Sequence, residues 1–254
     1  MATHVAVRDL TMAFGPRVIQ RDLSFDINYG DIFVIMGGSG CGKSTLLKHM
    51  LGLITPAAGD ILYDGESFVN APAARRDAMR RRWGITYQSG GLFSAMTLAE
   101  NIALPLQLYT GYSRSDIADI IAYKLALVGL AGYQDYSPAE ISGGMRKRAA
   151  LARAIALEPD ILFFDEPSAG LDPISSRLLD ELIVELQSSM GATVVMVTHE
   201  LPSIFGIATN SVYLDAASRT MIDYGDPREL RDHSDQAVVR QFLSRSASTE
   251  KESP

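Results

Sequence analysis

Ile32-Phe33-Val34-Ile35-Met36 is an unbroken apolar run. It leads directly into Gly37-Gly38-Ser39-Gly40-Cys41-Gly42-Lys43-Ser44-Thr45 and then into Leu46-Leu47-Lys48-His49-Met50-Leu51. An apolar run without polar alternation is the pattern of a strand covered on both faces, and such strands belong to layered α/β folds. The glycine-rich stretch is the loop between strand and helix, and the apolar spacing after it suits a helix ending near Gly52. Strand, glycine loop and helix in this order confine the chain to an α/β core with a tight turn at a strand's carboxyl end.

The loop matches G-x-x-x-x-G-K-[ST]. Glycines let backbone N–H groups approach a phosphate, Lys43 neutralises charge at the β/γ positions, and Ser44 offers a hydroxyl to Mg²⁺. Cys41 lies inside the loop and reads as a small residue filling a tight turn rather than a redox switch. A second phosphate site follows at Ile141-Ser142-Gly143-Gly144, where a Ser-Gly-Gly turn presents backbone N–H groups at the positive end of a helix. Shortly after it, Ile161-Leu162-Phe163-Phe164 ends in Asp165-Glu166. Asp165 is placed to hold Mg²⁺ at the carboxyl end of its strand, and Glu166 to orient the attacking water. Three further residues carry weaker signals. Gln88, at the end of WGITYQ, reads as a sensor of metal or water, or as a surface glutamine. His199, after the run Val194 to Thr198, is a γ-phosphate donor or a satisfied boundary histidine. Phe14 is a purine-stacking ring or a core aromatic.

The chain has 254 residues, 47% of them hydrophobic and 21% charged, with one cysteine and a net charge of −7. An acidic chain does not favour a nucleic-acid partner, and a lone Cys41 excludes an intrachain disulfide or a cysteine zinc cluster. No apolar run approaches the roughly 20 residues that span a bilayer, and the start MATHVAVRDL has no secretory pattern. Short strands are expected at Val5–Leu10, Leu23–Ile27, Ile61–Tyr63 and Ile85–Tyr87, with a turn at Gly15-Pro16. Between about 89 and 158 helical periodicity takes over. Strand–helix alternation then returns with a helix from Ile174 to Met190, a strand from Ala192 to Thr198, and a hairpin joining Asn210–Leu214 to Arg219–Tyr224. Val238, Phe242 and Leu243 form an apolar edge on a short helix packed locally. Residues 241–254 are expected to form a short polar tail, disordered over Ser-Arg-Ser-Ala-Ser-Thr-Glu-Lys-Glu-Ser-Pro at 244–254. Arg75, Arg76, Arg80, Arg81 and Arg82, moderated by Asp77, read as a solvated helix face in preference to a lipid-facing patch.

Taken in order, these motifs resemble the ATP-binding-cassette (ABC) ATPase family over residues 4 to 230. Gly37–Thr45 resembles a Walker A loop, Ile141–Met145 the LSGGQ signature, and Ile161–Glu166 a Walker B strand with its catalytic glutamate. Ser168-Ala169-Gly170-Leu171-Asp172 is similar to the D-loop, while Gln88, His199 and Phe14 match the Q-loop, the switch histidine and the adenine-stacking aromatic. The resemblance implies a P-loop NTPase (RecA-like) core, an N-terminal antiparallel β-subdomain and an inserted α-helical signature subdomain. The ATPase domain is then 1–240, with its helical insert at about 89–158. It implies ATP and Mg²⁺ as ligands: ATP on Phe14, Gly37, Gly38, Ser39, Gly40, Cys41, Gly42, Lys43, Ser44, Thr45 and Gln88, with Mg²⁺ on Ser44, Gln88 and Asp165. Catalysis falls to Glu166, His199 and Lys43. Two cassettes of the family meet head to tail, so Ser142, Gly143, Gly144 and Met145 would serve the ATP of a partner, and the chain is expected to act as a homodimer.

Met145 replaces the usual signature glutamine and precedes Arg146-Lys147-Arg148. This stretch, with Gly91–Leu98 and FFDEPSAGLDPISS at 164 to 176, resembles the branch that powers MCE-type lipid transporters. That branch implies an integral membrane permease received near Gln88 to Asn101, an MCE-domain substrate-binding protein, a small STAS-domain protein in some systems, and a peripheral place on the cytoplasmic side of the inner membrane. The alternatives are an ATPase for another transported substrate, a non-transport ABC ATPase, and a regulatory subunit without turnover. The non-transport members usually carry long coiled-coil insertions or two cassettes, which this chain lacks. Intact Lys43, Asp165, Glu166 and His199 argue against a subunit without turnover.

Overall fold

A computed structural model of the chain describes residues 2–244. The expected disorder of 244–254 concerns residues that lie outside this range, apart from Ser244. The described residues divide into two compact units: 2–76 with 195–244, and 77–194.

The first unit begins with β1 (Thr3–Phe14) and β2 (Arg17–Asn28), joined by a turn at Gly15-Pro16. Both are 12 residues long, where the sequence pattern indicated two shorter strands. The pairing is irregular at four places, and two of these are bulges centred on Asp9 and Asp22. The pairing of β1 with β2 runs Val7↔Phe25, Leu10↔Leu23 and Met12↔Gln20, so each strand inserts one extra residue. At these places Asp9 and Asp22 adopt φ of 47° and 55°, a left-handed conformation that aspartate tolerates because its short polar side chain bonds locally. Each bulge shifts the inward-facing phase, and strict alternation breaks. With β4 (Ala58–Tyr63) and β5 (Glu66–Ser67) these strands form an antiparallel sheet of order β2-β1-β4-β5. Also in this unit are β3 (Ile32–Gly37), α1 (Lys43–Met50), α7 (Leu201–Ile207), β9 (Asn210–Asp215), β10 (Thr220–Gly225), α8 (Pro227–His233) and α9 (Ala237–Leu243). β3 is buried at all six positions and pairs parallel with β9, which pairs antiparallel with β10. Stacking of Phe25 on Phe33, with centroids 5.4 Å apart, joins the two sheets of this unit. Phe242 and Leu243 are buried as expected and Phe242 packs edge-on to Tyr213, but Val238 is 40% exposed and Val239 takes the inner position.

The second unit contains β6 (Trp83–Thr86), α3 (Leu98–Tyr109), α4 (Arg114–Leu127), α5 (Gly143–Ala154), β7 (Ile161–Asp165) and α6 (Pro173–Met190). The boundary elements are α2 (Ala73–Arg80) and β8 (Thr193–Val197). In the first unit the strands run in the order β10-β9-β3, and in the second β6 pairs parallel with β7. Helices α3 and α4 each start with a complete capping box, Thr97 with Glu100 and Ser113 with Asp116, which satisfies two otherwise orphaned N–H groups at each start. α5 packs on α3, α4 and β6. Its alanines and Gly84 permit the close approach: a Cβ at Gly84 would fall 2.4 Å from the Ala154 carbonyl. Phe163 and Phe164 of β7 are fully buried, Phe163 edge-on to Trp83, and each such ring contributes about 2–3 kcal/mol of burial.

Among the described residues, no helix is long and apolar enough to cross a membrane. The arginines near α2 are largely offset by acids. Arg75 pairs with Glu66, Arg80 with Asp77 and Arg82 with Asp160, while Arg81 lies over the Tyr109 ring.

Candidate nucleotide site and its family

In the first unit the loop between β3 and α1 bends through left-handed glycines at Gly37, Gly40 and Gly42. Gly37 and Gly42 are dictated by packing as well as by φ. A Cβ on Gly37 would meet the Leu214 carbonyl oxygen at 2.4 Å, and one on Gly42 would meet Ile19 Cγ2 at 2.8 Å. Gly38 and Gly40 face open space instead, so the loop leaves a backbone-lined hollow of the kind that accepts phosphate. Gly42 caps α1 with no side chain, and the first N–H groups of a helix have no intrahelical acceptor. Lys43 Nζ donates to the Gly37 and Gly38 carbonyls, both at 3.0 Å, and so lies across the loop mouth. Ser44 and Thr45 follow on the first turn of α1. Cys41 is buried, and that burial pushes its thiol above the ordinary range despite Lys43 nearby.

Gln20 was not anticipated as part of this loop. It is fully buried in β2, and its side-chain amide donates to the Cys41 carbonyl at 2.7 Å and the Asp215 carbonyl at 2.9 Å. It ties the glycine loop to the end of β9. Phe14, the last residue of β1, is 52% exposed, so its ring is open to stack on a ligand and is not part of the core. His199 lies two residues beyond the end of β8, with an exposed side chain whose Nε2 is 3.7 Å from Glu200.

In the second unit, Ser142 caps α5, its Oγ accepting from the Met145 N–H at 3.2 Å. Gly143 and Gly144 are ordinary helical residues outside the left-handed region. A groove of about 620 Å³ brings Ser142, Gly143 and Gly144 together with Gly170, Leu171 and Asp172. Asp172 caps α6, accepting from the Ile174 and Ser175 N–H groups at 3.0 Å. The Ser175 hydroxyl and these N–H groups hold its carboxyl below the usual carboxylate range. Ser168 and Ala169 lie in the turn between β7 and α6.

β7 ends at Asp165, and Glu166 follows with φ of 51°. Its carbonyl accepts from the Ala169 N–H at 3.2 Å and from Lys147 Nζ at 3.3 Å. Gln88 does not end a strand: β6 stops at Thr86, and Gln88 is exposed in the following turn. Its carbonyl also accepts from Lys147 Nζ. Further along the same segment, Arg153 of α5 donates to the Gly91 carbonyl at 2.7 Å and lies 5.9 Å from the Phe93 ring centre. Lys147 and Arg153 were both missed as site residues, since Lys147 read only as part of the basic run after Met145.

Each unit therefore carries a turn that presents backbone N–H groups at the start of a helix. The oxygen donors of Ser44, Gln88 and Asp165 are of the hard type that suits Mg²⁺. Among the described residues no three His, Cys, Asp or Glu side chains cluster as a metal cage.

Comparison with known proteins agrees with this architecture. Residues 20–169 match the family model described as ABC transporter. The chain is 41% identical over 244 residues to the probable ribonucleotide transport ATP-binding protein mkl of Mycobacterium leprae, spanning 96% of this chain and 70% of that protein. It is 41% identical over 243 residues to the intermembrane phospholipid transport system ATP-binding protein MlaF of Escherichia coli K12, spanning 96% of this chain and 89% of that one. Among solved structures, the dimeric post-hydrolysis state of the ATP-binding cassette MJ0796 bound to ADP and Pi superposes with a TM-score of 0.78 at 26% identity, covering 87% of this chain and 98% of that one. With its family model and its relatives in agreement, the chain belongs to the ABC transporter family, as an ATP-binding cassette of the ATPase type.

Proposed function

We propose that the chain is the ATP-hydrolysing subunit of a phospholipid transporter of the MCE type. Two copies would close head to tail around two ATP and drive a separate permease from the cytoplasmic face of the inner membrane. The observation that carries this is the 41% identity to MlaF over nearly the whole of this chain. An MCE-domain substrate-binding protein and a small STAS-domain protein are the further partners of this reading.

In the closed pair, Phe14 stacks on adenine, and the loop Gly37–Thr45 wraps the phosphates, with Lys43 leaving its carbonyls for the β/γ oxygens. Ser142, Gly143, Gly144 and Met145 face the ATP held by the other copy, with the D-loop 168–172 beside them. Ser44, Asp165 and Gln88 would hold Mg²⁺, which supplies charge neutralisation at the phosphate oxygens. Glu166 orients the attacking water, and His199 donates to the γ-phosphate. Positioning and electrostatics supply most of the rate in such a reaction.

A second reading, a ribonucleotide cargo, draws on the name of the mycobacterial relative. The deciding experiment reconstitutes the chain with its membrane partners in proteoliposomes and follows ATP-driven movement of a fluorescent phospholipid and of a labelled ribonucleotide. Lipid movement that stops with Glu166→Gln is expected; ribonucleotide movement alone would overturn the lipid assignment. In the same system Phe93→Asp should abolish lipid movement while ATP affinity stays within about twofold, because Phe93 is 51% exposed and its ring lies beside Arg153 of α5. Loss of ATP binding by that variant would remove Phe93 from the permease surface.

A further inference from the structure

The least explained contact in the second unit is made by Lys147. It lies on α5 just beyond the signature turn, half-buried, with its ammonium on the backbone carbonyls of Gln88 and Glu166. Burial pushes its pKa down, and the carboxylates of Glu166 and Asp165 pull it back up. Both carbonyls belong to places where the chain is irregular. Gln88 is in the turn that ends β6, and Glu166 is a left-handed non-glycine residue immediately before Pro167. Left-handed backbone at such a residue costs about 1 kcal/mol or more and persists only where neighbours over-determine it. The Ala169 N–H supplies one constraint on the Glu166 carbonyl from its own turn. Lys147 supplies a constraint that comes from outside that turn, and as a cation it forms the stronger, charge-assisted type of hydrogen bond.

We propose that Lys147 is a positioning residue for hydrolysis. From the signature helix it fixes the peptide of Glu166 in its left-handed form, and so the direction of the carboxylate, while the same ammonium holds the Gln88 turn. A displacement of α5 is thereby transmitted to both. The proposal rests on the role given above to Glu166.

The test uses the full-length chain, measuring steady-state ATP hydrolysis and equilibrium binding of a fluorescent ATP analogue. Lys147→Met should lower kcat about tenfold while KM and analogue affinity stay within about twofold, the signature of an interaction expressed in the transition state. Lys147→Arg, which keeps a cationic donor, should retain at least about half of kcat. In a Glu166→Gln background, adding Lys147→Met should cost nothing more, because a residue that acts through Glu166 has nothing left to position. Near-normal kcat in Lys147→Met, or a fall in binding equal to the fall in kcat, would overturn the proposal. So would a further tenfold loss in the double variant. If Glu166→Gln alone hydrolyses ATP at a near-normal rate, the catalytic assignment fails first and takes this proposal with it. Should Lys147→Met lower the melting temperature, Lys147→Gln is read by the same kcat-against-KM split.

Discussion

Loop 37–45 and turn 142–145 both deliver backbone N–H groups at the start of a helix, yet they are built differently. The first bends through left-handed glycines at Gly37, Gly40 and Gly42, is pinned by Gln20, and folds its own Lys43 across its mouth. The second has no left-handed residue, a serine cap, and glycines whose added Cβ atoms would meet nothing closer than 3.8 Å. The first is a complete receptacle, and its glycines answer to its own interior. The second is a flat helix end, and its glycines keep space clear for something that approaches from outside. On the proposed reading, one loop binds and the other completes a site held by a second copy.

The largest effect should separate the two by ligand affinity. Lys43→Ala is expected to weaken ATP binding by on the order of 100-fold, since it removes a charge-assisted contact to phosphate. Ser142→Ala should leave a chain's own ATP affinity within about twofold while hydrolysis falls at least tenfold. Equilibrium titration with a fluorescent ATP analogue and a phosphate-release assay measure the pair. Equal losses of affinity in both variants would erase the distinction.

Mixing provides the next break. A Lys43→Ala chain and a Ser142→Ala chain are each expected to be nearly inactive. In a mixed pair, however, one composite site joins an intact loop to an intact turn. Activity of the mixture should rise several-fold above the sum of the two alone, reaching at most about a quarter of the native rate if chains pair at random and sites act independently. No gain on mixing would mean that the two turns do not meet across chains.

Glycine substitutions test the interior against the exterior. Gly42→Ala combines a φ of 106° with a 2.8 Å approach to Ile19, and should cost about 2 kcal/mol of stability or more. Gly143→Ala should be neutral or up to about 1 kcal/mol stabilising, as alanine replaces glycine in a helix, yet hydrolysis should fall. Denaturant unfolding separates the two, and a destabilised Gly143→Ala would show that the signature turn is also packed from within.

The smallest effect concerns Cys41. Burial raises its pKa above the ordinary 9.0, so the folded thiol stays neutral where an unfolded one begins to ionise. Its contribution to stability is present below that value and is lost as pH rises through the folded value. Alkylation of the native chain at pH 9 should run at least about tenfold slower than that of the unfolded chain. Comparable rates would mean that the loop opens readily.

Much of this was legible in advance. Ile32–Met36 and Ile161–Phe164 declared themselves as buried strands because nothing in them is polar, and α6 was misplaced only at its first residue, where Asp172 and Pro173 form the cap. The glycine loop was readable because its chemistry is local. Where bulges intervene, the reading fails. In β2 the inward residues Leu23, Phe25 and Ile27 set an odd phase, which would point Gln20 outward. The bulge at Asp22 reverses that phase and turns Gln20 into the loop's anchor. Lys147 was hidden for another reason. A lysine between two arginines looks like solvated charge, and only the fold brings the Gln88 and Glu166 carbonyls within its reach. Gln88 itself was assigned to a strand because WGITYQ gives no sign that pairing stops at Thr86.

The Gln20 anchor also bears on time. A loop already tied to the end of β9 has little left to order when nucleotide arrives, so entry should be a single bimolecular step, its observed rate rising linearly with concentration and showing no plateau. The slow and temperature-sensitive events of the cycle then fall to the encounter of one chain with another.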